Sequence, residues 1–284
     1  MMHSKLSKLL RHALEEDVPF ADITYECVLR KNPLSRAVIK SNASGTFYGE
    51  LVIKMLFQIS EPESTVTLHV RDSDRIQPGQ VLCVIEGTAK TILRLERVML
   101  NLIQRLSGIA TLTRAFVDKL DNEAVQILDT RKTTPGLRFL EKKAVLAGGG
   151  ANHRAHLSDM VLVKENYLAA LKLEGGEDKF YSRISDFKLS RPEIPIEIEI
   201  DSFSQLEKAS LEKVDYVLFD NFSIEDIKRG VLLCKERGWP LEIEVSGNVS
   251  LDTIHLYRDL GIHRISIGAL THSAKALDFS LLIE

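Results

Sequence analysis

Two adjacent cations, Arg131 and Lys132, follow the apolar run VQIL at residues 125–128. Such a run predicts a buried strand, so these two side chains stand where the strand leaves the core. Both can hold anions, and the planar guanidinium of arginine pairs with carboxylates or phosphates through two parallel hydrogen bonds. The turn is therefore a candidate anion-binding site.

Other apolar runs in the second half of the chain also carry polar residues or glycine at or near their ends. These residues are Lys164, Glu199, Asp220, Ser246, Gly247 and Gly268. Any one of these residues could be an ordinary loop residue. Because such residues follow nearly every predicted strand, a shared site is favoured. The carboxylates of Glu199 and Asp220 could hold Mg²⁺ or ribose hydroxyls, or stabilise positive charge that develops on a sugar.

The alternation IEIEI at residues 196–200 places Glu197 and Glu199 on a strand that is expected to be covered. A solvated strand face is the alternative interpretation. Since both faces of a strand in a parallel sheet are usually covered, each carboxylate there needs a cation or a hydroxyl as its partner.

The segment GGGANHRAHLSD, residues 148–159, adds His153 and Arg154 to the candidate groups. Its glycines let the backbone approach a ligand closely, although a flexible turn explains them equally well. His153 and His156 are three residues apart in a glycine-rich context that is not expected to be helical. That spacing does not indicate a metal site.

These groups can meet only if the strands before them are parallel neighbours. The predicted strands cover residues 125–130, 159–166, 194–200, 215–221, 241–247 and 264–270. Amphipathic helices are predicted between several of them, at 202–213, 223–238 and 250–261. Repeated β–α units predict a parallel sheet, either a barrel or a doubly wound sheet, and in a barrel all carboxyl ends lie on the face that holds the active site. Neither GxGxxG nor GxxxxGK[ST] occurs, which disfavours dinucleotide and P-loop folds.

The helix boundaries carry recognisable signals. Ser202, Ser223 and Ser250 stand at predicted N-caps, and Gly238 and Gly261 stand at predicted helix ends.

The first ~120 residues show mixed structure without this repeat. A helix is predicted over 4–15, strands around a Pro-Gly turn at 78–79, and a long helix over 89–120 that breaks near Ser107–Gly108.

The composition of the chain argues against several kinds of partner and site. The 284 residues carry 37 basic and 40 acidic side chains, a net charge of −3, so nucleic acid and anionic membranes are not expected partners. The cysteines Cys27, Cys83 and Cys234 are far apart, which predicts small buried thiols and no disulfide or zinc site. With no run of 18 apolar residues and no signal peptide, the expected location is cytoplasmic.

Several blocks together resemble the quinolinate phosphoribosyltransferase family, also called carboxylating nicotinate-nucleotide pyrophosphorylases. They are ALEEDVPFADIT (13–24), ERVMLNLIQRLSGIATLT (96–113), LDTRKTTPGLRFLEKKAVLAGGGANHR (128–154), LSDMVLVKEN (157–166), IEIEIDSFSQLEKA (196–209), LFDN (218–221), SGNVSLDTI (246–254) and ISIGALTHSAKALDFSL (265–281). The blocks span nearly the whole chain in the family's order, and DTRKT-PGLR and GGG-NHR are highly specific.

The resemblance implies an N-terminal open α/β sandwich domain, residues 1–108, plus a C-terminal partly open α/β (TIM-like) barrel, residues 109–284. The last ~12 residues would be able to pack back on the first domain. It also implies a homodimer in which the sandwich domain of one subunit covers the barrel mouth of the other.

The implied reaction joins quinolinate to 5-phosphoribosyl 1-diphosphate with Mg²⁺, giving nicotinate mononucleotide, diphosphate and carbon dioxide. By resemblance, the groups around the quinolinate carboxylates are Arg131, His153, Arg154 and Lys164, with Arg97 reaching in from the partner subunit. Those for the phosphoribosyl substrate are Lys132, Ser246, Gly247, Asn248, Gly268 and His272, and Thr130 is a further substrate-binding residue. The catalytic residues would be Lys132, Glu199 and Asp220. Glu199 and Asp220 would bind ribose hydroxyls and would hold the metal through the substrate or water.

The chain departs from the family pattern at four positions. Ala21 replaces a glycine in GDIT, and Asn248 replaces the second glycine of SGG. His156 and Tyr167 stand where the family commonly has glycine and histidine. Because these two flank the acid-binding corner, substrate choice is the property they most affect.

Three other interpretations compete. One is a paralogue of the type associated with molybdate-transport operons, acting on a different acid or base, whose central block is expected to deviate from DTRKTTPGLR. A barrel aldolase would use Lys132 or Lys164 as a Schiff-base lysine in an apolar pocket, whereas arginines crowd both. A non-catalytic nucleotide-binding regulator would not need the full cationic set together with Glu199 and Asp220.

Overall fold

The chain divides into two compact units in a computed structural model that describes residues 2–176, 179–210 and 214–284. The first unit consists of Met1–Arg114, Thr134–Gly149 and Ser273–Glu284, and the second of Ala115–Thr133 and Gly150–His272. The boundary predicted between residues 108 and 109 falls inside a helix and stays a prediction.

The first unit is built on an antiparallel sheet. Its strands are β1 (Leu34–Ser41), β3 (Thr65–Leu68), β5 (Val81–Thr88) and β12 (Phe279–Ile283), in the order β12-β1-β5-β3. A separate pair is formed by β2 (Gly45–Thr46) and β4 (Arg75–Ile76). The Pro-Gly turn between β4 and β5 forms as predicted, with Gly79 at φ 81°.

Five helices accompany this sheet: α1 (Met2–Asp17), α2 (Ile23–Val28), α3 (Glu50–Ser60), α4 (Ala89–Leu120) and α5 (Arg138–Ala147). The amphipathic pattern of α1 is confirmed, because Leu6, Leu10 and Leu14 recur every four residues and are all buried. α4 continues through Leu120, beyond the part assigned to the first unit.

The predicted break at Ser107–Gly108 is wrong, since α4 is continuous there. The two small residues instead let other backbone segments of the first unit approach the helix. Ser107 Oγ accepts a hydrogen bond from Tyr48 N at 3.0 Å, and a Cβ on Gly108 would lie 2.0 Å from the carbonyl oxygen of Lys275. A serine–glycine pair within a helix therefore marks close packing here.

The second unit contains the six predicted parallel strands. They are β6 (Gln126–Leu128), β7 (Val161–Val163), β8 (Ile196–Ile200), β9 (Tyr216–Asp220), β10 (Glu242–Ser246) and β11 (Arg264–Ser266), in the order β6-β11-β10-β9-β8-β7. The two end strands, β6 and β7, follow each other in the chain. This cyclic order is that of an α/β barrel left open between its first two strands.

The helices of this unit are α6 (Glu165–Leu173), α7 (Phe180–Ser190), α8 (Phe203–Ser210), α9 (Ile224–Arg237) and α10 (Ala269–His272). The predicted caps of α9 are confirmed: Ser223 accepts from Asp226 N, and Gly238 closes the helix in the left-handed conformation. Residues 211–213, the end of the helix predicted over 202–213, lie outside the described residues.

The helix predicted over 250–261 is wrong. That segment consists of turns and a short 3-10 helix at Ile254–Tyr257. Ser250 N donates to Thr253 Oγ1 at 3.0 Å, and Ile254 N donates to the Ser250 carbonyl at 2.9 Å. The predicted N-cap therefore begins a turn, but the residues that follow do not continue it as an α-helix.

Two of the cysteines, Cys83 and Cys234, are buried thiols as predicted, whereas Cys27 on α2 is exposed. Across the described parts of the chain, no helix combines the length and the apolarity that crossing a membrane requires.

Candidate active site

A cavity of about 590 Å³ opens at the carboxyl ends of the strands in the second unit. The strand register explains why, since Ser246 pairs with both Asp220 and Ser266, and Ser266 pairs with Leu128. The residues that follow these positions therefore leave the sheet side by side, at its carboxyl edge. The predicted site residues that line the cavity are Thr130, Lys132, Lys164, Glu199, Asp220, Ser246, Gly247, Asn248, Gly268 and His272.

The turn after β6 holds Lys132 in the cavity wall. Thr130 Oγ1 accepts a hydrogen bond from Lys132 N at 3.0 Å, and Thr271 Oγ1 donates to the Lys132 carbonyl at 2.8 Å. The aliphatic stem of Lys132 passes 3.0 Å from the position that a Cβ on Gly268 would take. A side chain at 268 would crowd this lysine.

The loop after β10 depends on left-handed backbone. Gly247 has φ 95° and Asn248 has φ 52°. Asparagine tolerates this conformation better than most residues, which explains how Asn248 can replace a glycine. Its side chain also donates to Asn221 Oδ1 at 3.2 Å, and Asn221 N donates to the Ser246 carbonyl at 2.9 Å. The loops after β9 and β10 are thus bonded to each other.

The carboxylates in the cavity have polar partners, as the sequence predicted for IEIEI. Lys164 Nζ donates to Glu199 Oε2 at 2.7 Å. Asp220 Oδ2 accepts from Asn221 Nδ2 at 2.7 Å. The cavity wall therefore carries carboxylate oxygens beside a lysine. The positive charge of Lys164 partly balances the negative charge of these carboxylates.

Arg131 and Arg154 form a cationic corner. Arg131 is exposed and Arg154 is half-buried, with its Nη1 donating to the Met160 carbonyl at 2.9 Å. Burial lowers the pKa of Arg154, and the nearby charge of Arg131 lowers it further. Two guanidinium groups close enough to repel favour an anion between them.

His153 is buried within a charged cluster that lies inside the barrel. Its Nε2 is 3.0 Å from Glu197 Oε2 and 3.4 Å from Glu244 Oε1. Arg264 Nε is 3.1 Å from Glu244 Oε2. The sequence predicted that Glu197 needs a cation or hydroxyl partner, but it did not predict this cluster. The signal was present, because Glu197, Glu244 and Arg264 are charged residues within strands that are expected to be covered.

The pKa values in this cluster are shifted in opposite directions. Burial raises the pKa of Glu197. Burial alone would also raise that of Glu244, but the hydrogen bond from His153 and the charges of His153 and Arg264 lower it. Burial would lower the pKa of His153, and the two glutamates raise it to about 9. Arg154 N donates to His153 Nδ1 at 2.8 Å, which opposes protonation because a protonated Nδ1 has no lone pair to accept that bond.

Three other residues singled out in the sequence are exposed. Arg97 lies on α4 in the first unit, with its Nη2 3.9 Å from Glu96 Oε1. His156 and Tyr167 are exposed in the second unit, and Tyr167 interacts electrostatically with Arg154.

Residues 22–107 match the family model described as quinolinate phosphoribosyl transferase, N-terminal domain, and residues 109–282 match that of the C-terminal domain. The chain is 38% identical over 285 residues to the probable nicotinate-nucleotide pyrophosphorylase (carboxylating) of Bacillus subtilis, covering 99% of this chain and 94% of the relative.

Solved structures agree with these sequence matches. The crystal structure of NadC from Streptococcus pyogenes is 36% identical, with a TM-score of 0.89 over 98% of this chain and 96% of that chain. The nicotinate-nucleotide pyrophosphorylase from Francisella tularensis is 31% identical, with a TM-score of 0.90 over 99% and 97%.

Proposed function

This chain belongs to the quinolinate phosphoribosyltransferase family, and from that membership we propose that it transfers the phosphoribosyl group of 5-phosphoribosyl 1-diphosphate to quinolinate. The products are nicotinate mononucleotide, diphosphate and carbon dioxide, in a step of NAD biosynthesis. The enzyme is accordingly a pentosyltransferase.

The observation that carries the proposal is the composition of the cavity in the second unit. Lys132 provides a cation, and the loop from Ser246 to Asn248 and Gly268 provide backbone and small residues, all of which suit phosphate groups. Glu199 and Asp220 provide carboxylates on the same wall, which suit ribose hydroxyls. One cavity thus offers groups for both ends of a phosphoribosyl diphosphate.

The dicarboxylate is assigned to the cationic corner of Arg131 and Arg154, together with Lys164. The three cations neutralise the two carboxylates of the substrate when binding removes their hydration shells. Quinolinate carries adjacent carboxylates on a planar ring, and the planar guanidinium groups match that shape.

The chemistry then needs orientation and electrostatics, with no protein nucleophile. The ring nitrogen bonds to C1 of the ribose as the bond from C1 to the diphosphate oxygen breaks, and diphosphate leaves with the electron pair. Glu199 and Asp220 would stabilise the positive charge that develops on the sugar. The positively charged ring nitrogen can then stabilise the electron pair that stays on C2 when carbon dioxide departs, and C2 uses that pair to bind a proton.

Mg²⁺ is proposed as the cofactor, and the donor set fits it. Glu199 and Asp220 supply the hard oxygen ligands that Mg²⁺ prefers, and they line the same cavity as the proposed diphosphate site. When bound, the ion would neutralise charge on the diphosphate as it leaves. The residues themselves bind the ribose and orient its C1 towards the dicarboxylate corner.

The direct test is to mix the protein with quinolinate, 5-phosphoribosyl 1-diphosphate and Mg²⁺, and to measure nicotinate mononucleotide and carbon dioxide. Both products are expected in equal amounts. Tight binding of phosphoribosyl diphosphate without either product would overturn the proposal and favour the paralogue that acts on another acid or base.

Gly247→Ala is expected to weaken phosphoribosyl diphosphate binding by about 10-fold or more, because a strained non-glycine residue costs about 1–3 kcal/mol. Its Cβ would also lie 2.1 Å from Asn221 Oδ1, so the bonded pair of loops must open. The KM of each substrate measures the effect, and that of quinolinate is expected to change less.

Gly175→Ala is the matched control, since Gly175 also has positive φ, at 70°, but a Cβ there meets nothing within 4 Å. Equal losses in both variants would show that backbone strain alone, and not the loop contact, sets the affinity.

We also propose a homodimer, and the exposed apolar surface of α2 supports it. None of the residues in α2 is buried. Ile23 and Val28 in this helix have exposures of 70% and 69%, and Phe20, just before it, has an exposure of 98%. An apolar patch of this kind favours cover by another protein surface, and the family resemblance implies a second copy.

Mixing two inactive variants tests whether Arg97 acts across the dimer. Arg97→Ala and Lys164→Ala are each expected to be nearly inactive alone. If Arg97 serves the partner's site, random heterodimers contain one intact site, and an equal mixture should recover about 25% of wild-type activity. A mixture that stays as inactive as its components, with exchange verified by mass, would contradict the arrangement across subunits.

A further inference from the structure

We propose that Asn221 is a positioning residue whose side-chain amide ties the carboxylate of Asp220 to the loop from Ser246 to Asn248. The inference deepens the proposed function, since it rests on Asp220 serving the ribose and on the loop holding a phosphate group. Asn221 was not among the residues that the sequence assigned to the site. It acts through its neighbours and needs no contact of its own with the substrate.

The strand register places Asn221 beside this loop. Asp220 pairs with Ser246, so the residues that follow them, Asn221 and Gly247, leave the sheet side by side. Asn221 N donates to the Ser246 carbonyl at 2.9 Å. Its φ of 56° is left-handed, a conformation that asparagine tolerates better than most residues. The turn after β9 therefore brings this side chain against the loop.

Aromatic packing anchors the same turn on its far side. The Phe222 ring stacks on that of the buried Phe219, with centroids 4.8 Å apart. It also meets the Phe203 ring edge to face, at 5.9 Å. Ser223 then begins α9 as its N-cap. Because the residues on either side of Asn221 are fixed, its side chain has a defined direction.

The side-chain amide of Asn221 uses its two ends for different partners. Nδ2 donates to Asp220 Oδ2 at 2.7 Å, and Oδ1 accepts from Asn248 Nδ2 at 3.2 Å. An ionised carboxylate only accepts hydrogen bonds, so the NH2 group must face Asp220 and the oxygen must face Asn248. One orientation of the amide thus satisfies both neighbours.

The same side chain packs on the glycine in the middle of the loop. A Cβ on Gly247 would lie 2.1 Å from Asn221 Oδ1 and 2.6 Å from its Cγ. Asn221 therefore contacts all three residues of the loop. Gly247 and Asn248 both have left-handed backbone, at φ 95° and 52°. Such a conformation persists where the surrounding structure holds it, and Asn221 supplies that support.

Asp220 and the loop are assigned to adjoining parts of one substrate, its ribose and a phosphate group. Both line the cavity of the second unit, as does Asn221 itself. A bridge between them sets their spacing before the substrate arrives, so less ordering remains when it binds. The bridging amide is exposed in the free site. A substrate that excludes water from it would strengthen both of its bonds.

Glycine substitutions remove the amides without straining the backbone, because glycine adopts left-handed φ freely. Asn221→Gly is expected to raise the KM for phosphoribosyl diphosphate about 10-fold, as for a lost hydrogen bond to a charged group, and that for quinolinate less than about 3-fold. Asn248→Gly is expected to raise the former about 3-fold, and the double variant no more than Asn221→Gly alone. Losses that multiply to about 30-fold would mean that the two amides act independently, and would overturn the proposal.

Ser73→Gly is the matched control for the change to glycine. Ser73 also has left-handed backbone, at φ 82°, but it lies in the first unit. Both KM values are expected to stay at the wild-type level. A loss as large as that of Asn221→Gly would trace the effect to the added backbone freedom and would remove the support for the amide bridge.

Asn221→Asp distinguishes the bridge from a residue that only fills the turn. Aspartate also tolerates left-handed backbone and can accept from Asn248, but its carboxylate cannot donate to Asp220 and repels it. We expect kcat/KM to fall further than in Asn221→Gly, at equal Tm. Activity close to wild type would show that shape alone matters at this position, and the proposal would fail.

Two readouts do not depend on turnover. Calorimetry with phosphoribosyl diphosphate and Mg²⁺, without quinolinate, is expected to give Kd values that rise from wild type to Asn248→Gly to Asn221→Gly, and equal values would overturn the proposal. If the wild-type protein binds this ligand but forms no nicotinate mononucleotide, the proposed function fails while the series still decides the role of Asn221. In ligand-free crystals of Asn248→Gly, the Asn221 amide is expected to adopt a second position away from Asp220. An unchanged bond there would contradict the link between the two loops.

Discussion

Arg131→Ala is expected to raise the KM for quinolinate about 100-fold and to change that for phosphoribosyl diphosphate by less than about 3-fold. Removing one partner of a hydrogen-bonded charge pair costs about 2–5 kcal/mol, and the exposure of Arg131 places it in the lower half of that range. At about 1.4 kcal/mol per tenfold change in affinity, this corresponds to roughly two orders of magnitude.

The asymmetry between substrates follows from the turn that carries Arg131. Its neighbour Lys132 lines the cavity beside Gly268, whereas Arg131 acts electrostatically on Arg154. The adjacent residues Arg131 and Lys132 are therefore expected to bind different substrates, quinolinate and phosphoribosyl diphosphate respectively. Lys132→Ala is expected to give the opposite pattern, with the larger loss on the phosphoribosyl substrate.

Arg237→Ala is the matched control, because Arg237 is an exposed arginine in the last turn of α9. It removes the same charge and should leave both KM values unchanged. Equal losses of both substrates in Arg131→Ala would contradict the assignment of this side chain to the dicarboxylate.

Much of the second unit was predictable because its strands repeat a local pattern. Each apolar run is short and is followed by residues that cannot remain in a core, so both the strand and its functional end are encoded within about ten residues. Parallel pairing then brings Asp220 and Ser246 together without any long-range information. Most of the cavity-lining residues were found for this reason, whereas Asn248 and His272 were assigned through the family resemblance alone.

The features that sequence reasoning missed depend on contacts between distant segments. Arg264 and Glu197 look like irregularities within their own strands, and only the curled sheet brings them to His153 and Glu244. The Ser107–Gly108 pair has the composition of a helix break, but its small side chains serve close packing against other segments. In both cases the unusual residues were visible in the sequence, but what they do depends on contacts that only the tertiary structure makes.

Asp220→Asn is expected to lower kcat/KM by about 100- to 1000-fold, which is the usual effect of removing a group that stabilises charge in the transition state. The substitution keeps the size of the side chain, and the carboxamide oxygen can still accept from Asn221 Nδ2. What is lost is the negative charge at the proposed ribose site. The Mg²⁺ concentration needed for half-maximal activity should rise as well. Asp252→Asn, at a side chain that is 97% exposed, provides the control.

Comparing Asp220→Asn with Glu199→Gln separates the two carboxylates. Glu199 accepts a hydrogen bond from Lys164, which is assigned to quinolinate, whereas Asp220 accepts one from Asn221. Glu199→Gln therefore removes the negative charge that orients Lys164, and it is expected to change the KM of both substrates. Asp220→Asn should leave the KM of quinolinate close to wild type, because the charge that it removes is assigned to the sugar and the metal and not to quinolinate. Equal changes of the quinolinate KM in both variants would contradict this expectation. The hydrogen bond between Lys164 and Glu199 would then not be what couples the sugar site to the quinolinate site.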